Sequence, residues 1–155
     1  MRTLMLLGVL ALAAPGLNAQ DRPHTRFVGV EPVAIAHALA TELKAQKFES
    51  KRQGKKGALF VQDRGQVAQS NGQRVRVTFE VEFRMRQRRD TTEVTVYETL
   101  VGDAGRGFEH RKAMDPRQNR EAYLRLFEEI RPRLLAARAD TTRAADSPSP
   151  AERGQ

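Results

Sequence analysis

Cysteine is absent from all 155 residues, tryptophan is absent too, and tyrosine occurs only twice. Without cysteine there is no disulfide framework, no thiolate nucleophile and no lipobox through which the chain could be acylated. The fold must therefore be held by packing alone. Histidine is almost as scarce. His24, His37 and His110 stand far apart, and no His/Asp/Glu set shows the spacing of a metal site. No metal and no cofactor is expected. After residue 19 the only serines are Ser50, Ser70, Ser147 and Ser149, and none has the strand–turn–helix context of an activated nucleophile. No internal repeat is present.

Long apolar runs are confined to the N-terminus. Arg2 supplies a positive n-region, Leu4 to Ala14 an apolar h-region, and Pro15-Gly16 break the helix before Leu17-Asn18-Ala19, a small-x-small cleavage pattern. That order is the layout of a secretory signal peptide. The apolar stretch is short of the roughly 20 residues of a membrane span. Residues 1–19 are therefore expected to be removed after Ala19, leaving an exported chain in the periplasm or outside the cell, without a transmembrane segment.

Charge is abundant and biased. There are 27 basic residues, only 6 of them lysine, against 19 acidic ones, giving a formal net charge of +8. An excess of this size can attract nucleic acid, anionic lipid or acidic polysaccharide. Export directs the reading away from nucleic acid and toward envelope polyanions or a protein partner. The densest cluster is Lys44, Lys47, Lys51, Arg52, Lys55 and Lys56, offset only by Glu49. It is the candidate binding segment for an anionic surface, where each basic residue contributes about 1 kcal/mol. Within it Gly54-Lys55-Lys56-Gly57 resembles the G-x-x-G loop with which KH domains clamp a nucleic-acid backbone. The resemblance covers four residues, and here the loop leads into a strand rather than a second helix.

Hydrophobic periodicity supplies the fold. Residues 20–30 read as a mobile mature N-terminus that ends in a short extended piece at Phe27-Val28-Gly29-Val30. Glu31-Pro32 opens a helix whose stripe Ile35, Leu39 and Leu43 runs to about Phe48. Residues 49–57 read as a loop, 58–62 as a short strand, Asp63-Arg64-Gly65 as a turn, and Ser70-Asn71-Gly72 as a hairpin tip. From Val75 the alternation is strict: Val75, Val77, Phe79, Val81, Phe83 and Met85 are separated by polar residues. Such a strand has one dry and one wet face. If Arg88 to Thr91 form the next loop, Met85 faces Val94, Phe83 faces Val96, Phe79 faces Leu100 and Arg86 faces Glu93. Gly102 to Gly107 reads as a loop. Asp115-Pro116 opens a last helix with stripe Tyr123, Leu126, Phe127, Ile130 and Leu134, kinked or broken at Pro132. Residues 139–155 are too poor in large apolar side chains to pack and read as a disordered tail.

The expected architecture is a single α+β domain over residues 31–138. It is a two-layer sandwich, with an antiparallel sheet of three to four strands and an N-terminal and a C-terminal helix on one face. The same alternation turns Glu98 inward, opposite Val81, where a carboxylate needs a partner. An enzyme would need Glu98, Asp103, Glu109 and His110 to converge on one pocket. With no convergent catalytic set in view, the expected function is that of a small exported non-enzymatic binding or adaptor domain. Its ligand surfaces would be residues 44–56 or the wet face of the long strand, where Arg76, Arg84 and Arg86 flank Glu80 and Glu82.

Overall fold

The structure, a computed structural model, describes residues 21–69, 72–105 and 109–145, the last five of these as backbone. The expected signal peptide, the tip residues 70–71 and residues 146–155 of the expected tail lie outside them. In chain order the elements are β1 (His24–Val28), α1 (Pro32–Ala45), β2 (Glu49–Gly54), β3 (Gly57–Ala68), β4 (Arg74–Arg88), β5 (Thr91–Asp103), β6 (Glu109–Ala113) and α2 (Arg120–Ala145).

The pairing of β4 with β5 has the register that alternation requires. Met85 lies opposite Val94, Phe83 opposite Val96, Phe79 opposite Leu100, Arg86 opposite Glu93 and Val81 opposite Glu98. Arg88 itself pairs with Thr91, so the connection is the two-residue turn Arg89-Asp90, with Arg89 at φ 55°. A left-handed first turn residue matches the twist of a tight hairpin.

The rest of the sheet is larger than expected, with six antiparallel strands in place of three or four. Its order is β1-β5-β4-β3-β2, and β6 pairs with β5 as well. The outer edge of β5 is shared, β1 taking residues 91–95 and β6 residues 99–103. The segment read as a mobile N-terminus with an extended end contributes a strand, which begins at His24, three residues before the expected piece, and buries Phe27 opposite Thr92. The segment read as a loop at 49–57 is the edge strand β2 and its turn. Gly54 pairs with Gly57, making Lys55-Lys56 a hairpin tip. A Cβ at Gly57 would stand 2.2 Å from the Phe83 carbonyl oxygen. Glycine there permits close backbone packing, which accounts for one glycine of the G-x-x-G without any nucleic acid.

The turn expected at Asp63-Arg64-Gly65 is a bulge within one long strand. Register shifts between Asp63 and Gln66 while β3 continues to Ala68. Gly65 takes φ 83°, and its N–H donates to Asp63 Oδ1 at 2.9 Å. Asp and Gly at this spacing serve a turn or a bulge equally well.

The inward faces of β1, β3, β4 and β5 join both helices in one core cluster. Phe83 is its hub, edge-on to Phe60 at 5.8 Å, Tyr123 at 6.0 Å and Phe127 at 6.2 Å. Helix α1 ends three residues earlier than the apolar pattern suggests. The Phe48 N–H donates to the Leu43 carbonyl and the Lys47 N–H to the Lys44 carbonyl, with Lys47 at φ 64°. This is a Schellman turn with a lysine in the position that favours glycine.

Helix α2 starts at Arg120 rather than at Pro116 behind an Asp115 cap. Asp115 instead closes a turn, its Oδ1 accepting from the Arg117 N–H at 3.0 Å. The helix then runs through Pro132 to Ala145, where a break and a tail from 139 were expected. Pro132 lies on the exposed side, and the arginines on either side of it anchor the helix. Arg131 donates to Thr25 Oγ1 and the Arg26 carbonyl of β1, while Arg133 pairs with Glu42 of α1.

Two stability outcomes follow from these packings. Phe83→Ala should lower unfolding free energy by about 3–5 kcal/mol in a denaturant titration. Lys47→Gly should raise it by about 1 kcal/mol, because it relieves a left-handed backbone without touching the core.

Candidate functional site

Glu98 is buried, 7% exposed, on the core side of β5. Its Oε1 accepts from Tyr123 Oη at 2.6 Å and from Asn119 Nδ2 at 2.9 Å. The partners come from the start of α2. Burial, and then the bond to Glu98, push the Tyr123 hydroxyl well above the ordinary tyrosine range. The trio ties the middle of β5 to the first turn of α2. Beside it, Phe48, Phe79 and Leu126 line a hollow of about 200 Å³ at the mouth of the helical layer.

The side chains an enzyme would have needed are not brought together. Asp103 and Glu109 are direct cross-strand neighbours, placed by alternation on the face opposite Glu98. His110 pairs with Gly102, four residues along β5 from Glu98, or about 13 Å at strand spacing. His24 and His37 are exposed on β1 and α1. Among the described residues no cluster of His, Asp and Glu could hold a metal ion.

The basic segment is divided rather than gathered. Lys44 sits in the last turn of α1, Lys47 in the Schellman turn, Lys51 and Arg52 on β2, and Lys55 and Lys56 at the hairpin tip. All six are exposed, but Lys51 pairs with Glu49 at 2.9 Å and Arg52 with Glu82 at 2.7 Å. Strand β2 is one edge of the sheet, and lysines with a bulge between Ser50 and Arg52 are how such edges are kept from pairing with other chains.

The most organised surface is the open face of the sheet, opposite the helices. Its rungs set a glutamate of β4 between uncharged side chains of β3 and β5. One rung runs Leu59, Glu82, Tyr97, and the next Val61, Glu80, Thr99, Ala113. The Tyr97 ring carries Arg22 at 4.2 Å and Arg84 at 4.0 Å from its centroid. Two guanidinium groups at that distance clamp the ring by cation–π attraction. Glu82 binds both Arg52 and, at 2.8 Å, Arg84. The bond to Glu82 is the main cause holding the Arg84 guanidinium above its ordinary value. Glu80 pairs with Arg111, which also reaches Glu109 at 2.6 Å. Val101, though on this face, is only 7% exposed, lying beside Arg111 in the register.

Two adjoining troughs mark this face, and Glu80 lies at their junction. The one toward the turn Arg89-Asp90 measures about 370 Å³ and gathers Arg22, Arg52, Arg84 and Arg111 around Glu80 and Glu82, with Glu98 also in its lining. The other measures about 590 Å³. It gathers Glu49, Asp63, Glu80, Asp103 and Glu109 against Lys47, Lys51 and Arg76. One trough is net positive and the other net negative. Exposed ion pairs contribute only about 0–1 kcal/mol each to stability. Their main consequence is therefore geometric, since they hold long side chains in fixed positions.

Sequence reading identified the charged face of β4 but missed the tyrosine clamp. Tyr97 was legible as an outward residue beside Glu82. Arg22 was not, because its segment carried no strand signal.

The Tyr123–Glu98 bond generates a pH dependence. The folded chain holds the Tyr123 proton above its ordinary pKa of about 10, while the unfolded chain releases it there. Stability from this group is complete below about pH 10 and is lost as pH rises beyond it. Tyr123→Phe should cost about 1–2 kcal/mol at neutral pH. Between about pH 9 and about pH 11 that variant should lose less stability than the native chain, read by denaturant titration at each pH.

No helix among the described residues is long and apolar enough to cross a membrane. The chain matches no family model, no curated protein and no solved structure, so its functional reading rests on the surfaces described above.

Proposed function

We propose that the chain is an exported, non-enzymatic binding domain, acting in the periplasm or outside the cell, whose interaction surface is the open face of the sheet and whose partner is a protein. The single observation that carries this reading is the Tyr97 clamp. Tyrosine and arginine dominate the residues that hold most of the binding energy in protein interfaces. Here one tyrosine and two arginines are held together on an uncovered face, at the gap between β1 and β6. Glu80 and Glu82 support it, their side chains only 19% and 25% exposed behind their arginine partners. They are already partly removed from water, so further desolvation on binding costs less than it would for free carboxylates. The N-terminal pattern of charge, apolar run and small-residue cleavage site supports export.

A photo-crosslinking residue placed at Tyr97 or Thr99 and expressed in the native cell tests this directly. The expected result is a discrete protein adduct from these positions and none from Glu128 or Glu129 on α2. Adducts confined to α2 or to β2 would overturn the open face as the binding surface. In the same cells the recovered chain should begin at Gln20, read by intact mass.

A further inference from the structure

We infer that the hairpin end of the sheet, around Lys55-Lys56 and Arg86 to Arg89, is a further binding site, and that its ligand is the anionic headgroup layer of a phospholipid bilayer. The site is separate from the Tyr97 clamp, and either can fail without the other.

Over most of the open face arginine is engaged. Arg26, Arg52, Arg76 and Arg111 each hold a carboxylate, and Arg22 and Arg84 stack on Tyr97. At the hairpin end that pattern stops. The side chains of Lys55, Lys56, Arg86, Arg88 and Arg89 are exposed and make no ion pair or hydrogen bond among the described residues. Glu93, opposite Arg86 in the register, is taken by Arg26 at 3.1 Å. Asp90 is the one carboxylate in either hairpin tip, and its Oδ1 accepts from Thr91 Oγ1 at 3.2 Å. Glu31, from the loop before α1, accepts from Gln87 Nε2 at 3.3 Å.

Backbone pairing brings these cations to one end. The Met85 N–H donates to the Lys56 carbonyl at 2.9 Å, so the Lys55-Lys56 tip stands beside β4. From Met85 the strand runs three further residues, about 10 Å, to Arg88, and alternation puts Arg86 and Arg88 on the open-face row. The turn then adds Arg89.

Shape and composition select the ligand. None of the five lines either trough; they stand on two hairpin turns and a strand end. A single anionic polymer is held in a basic groove that tracks its backbone. A bilayer offers a plane of phosphates, so that cations on separate turns each meet one. Val28 lies in the row of Arg88 and Thr91 and is 57% exposed. An apolar side chain beside basic ones gains free energy at a headgroup boundary and gains none against a polymer in water. At about fivefold in affinity per basic residue near an anionic bilayer, five cations supply roughly a 10³-fold preference over a neutral one.

Vesicle sedimentation of the exported chain at about 100 mM salt tests the site. The native chain should bind vesicles of about 30% phosphatidylglycerol in phosphatidylcholine at least about a hundredfold more tightly than phosphatidylcholine alone. Arg86→Glu with Arg88→Glu, and Lys55→Glu with Lys56→Glu, should each weaken that binding at least about tenfold. These side chains have no partner in the fold, so both variants should keep the native denaturation midpoint. Arg74→Glu with Lys112→Glu makes the same change in net charge at exposed positions away from the hairpin end, and should weaken binding less than about threefold. Equal loss in all three double variants is attraction by net charge alone and overturns the site. A native chain that sediments with neither vesicle overturns the bilayer as ligand. Retention of that chain by dextran sulfate, lost in the first two double variants, would make the end a polymer site instead.

Discussion

Strict alternation along β4, locked in register with β5, is the constraint from which the rest of the structure follows. A slip of one residue would turn Val81 and Phe83 to water and drive Glu80 and Glu82 into the core. The two-residue turn at Arg89-Asp90 sets that register locally, and the rung of Phe83 opposite Val96 secures it at distance. Because β4 is flanked by β3 and β5 along most of its length, each of its faces must serve one purpose only. The inward face collects α1 and α2. The outward face is left to polar side chains, whose positions are fixed by the same register.

That division explains which elements were legible in the sequence. Strands β4 and β5, the stripe Ile35–Leu39–Leu43 and the stripe Tyr123–Leu134 each bury one side and expose the other, so apolar periodicity marks them. Strand β2 and strand β6 are exposed at nearly every residue. With neither side in the core, nothing selects apolar residues at alternate positions, and the strand exists because a neighbour offers its free backbone edge. β1 contributes one buried side chain, Phe27, which is too little for a period. The sheet therefore looked three- or four-stranded from the sequence, where only its centre carries a pattern. Local turn signals behaved similarly. Asp63-x-Gly65 and Asp115-Pro116 both mark a departure from regular structure, but neither says whether the chain reverses, bulges or starts a helix.

Glu98 shows how much a site can be read and where the reading stops. Its inward direction is a property of one strand and was available from spacing. Its partners belong to α2, 21 and 25 residues away, and depend on where that helix begins. Helix onset was read four residues early, at Pro116, which would have placed Asn119 inside the helix rather than at its start. Asn119 and Tyr123 are thus partners that only the tertiary fold could name. The enzyme-like grouping failed for a related reason. Glu98, Asp103, Glu109 and His110 are close in sequence, but alternation sends Asp103 and Glu109 to the far side of the sheet.

The arginine excess, which composition presents as a single property, divides into separate physical roles. Arg131 and Arg133 carry α2 across Pro132 by gripping β1 and α1, and Arg117 holds Asp21 at the N-terminal end. Arg22 and Arg84 stack on Tyr97, while Arg52, Arg111 and Arg76 each hold a carboxylate of the open face. A planar guanidinium can stack and donate several bonds at once, which lysine cannot. Lysine, by contrast, is concentrated in the 44–56 segment, along the β2 edge and at the end of α1. The distinction matters for the sign of the surface. A net charge of +8 suggests a polyanion as partner, yet the face with the most organised geometry carries both signs. Net charge sets how strongly the molecule feels a distant polyanion, whereas a face that holds both signs in fixed positions selects a partner by the order of its charges.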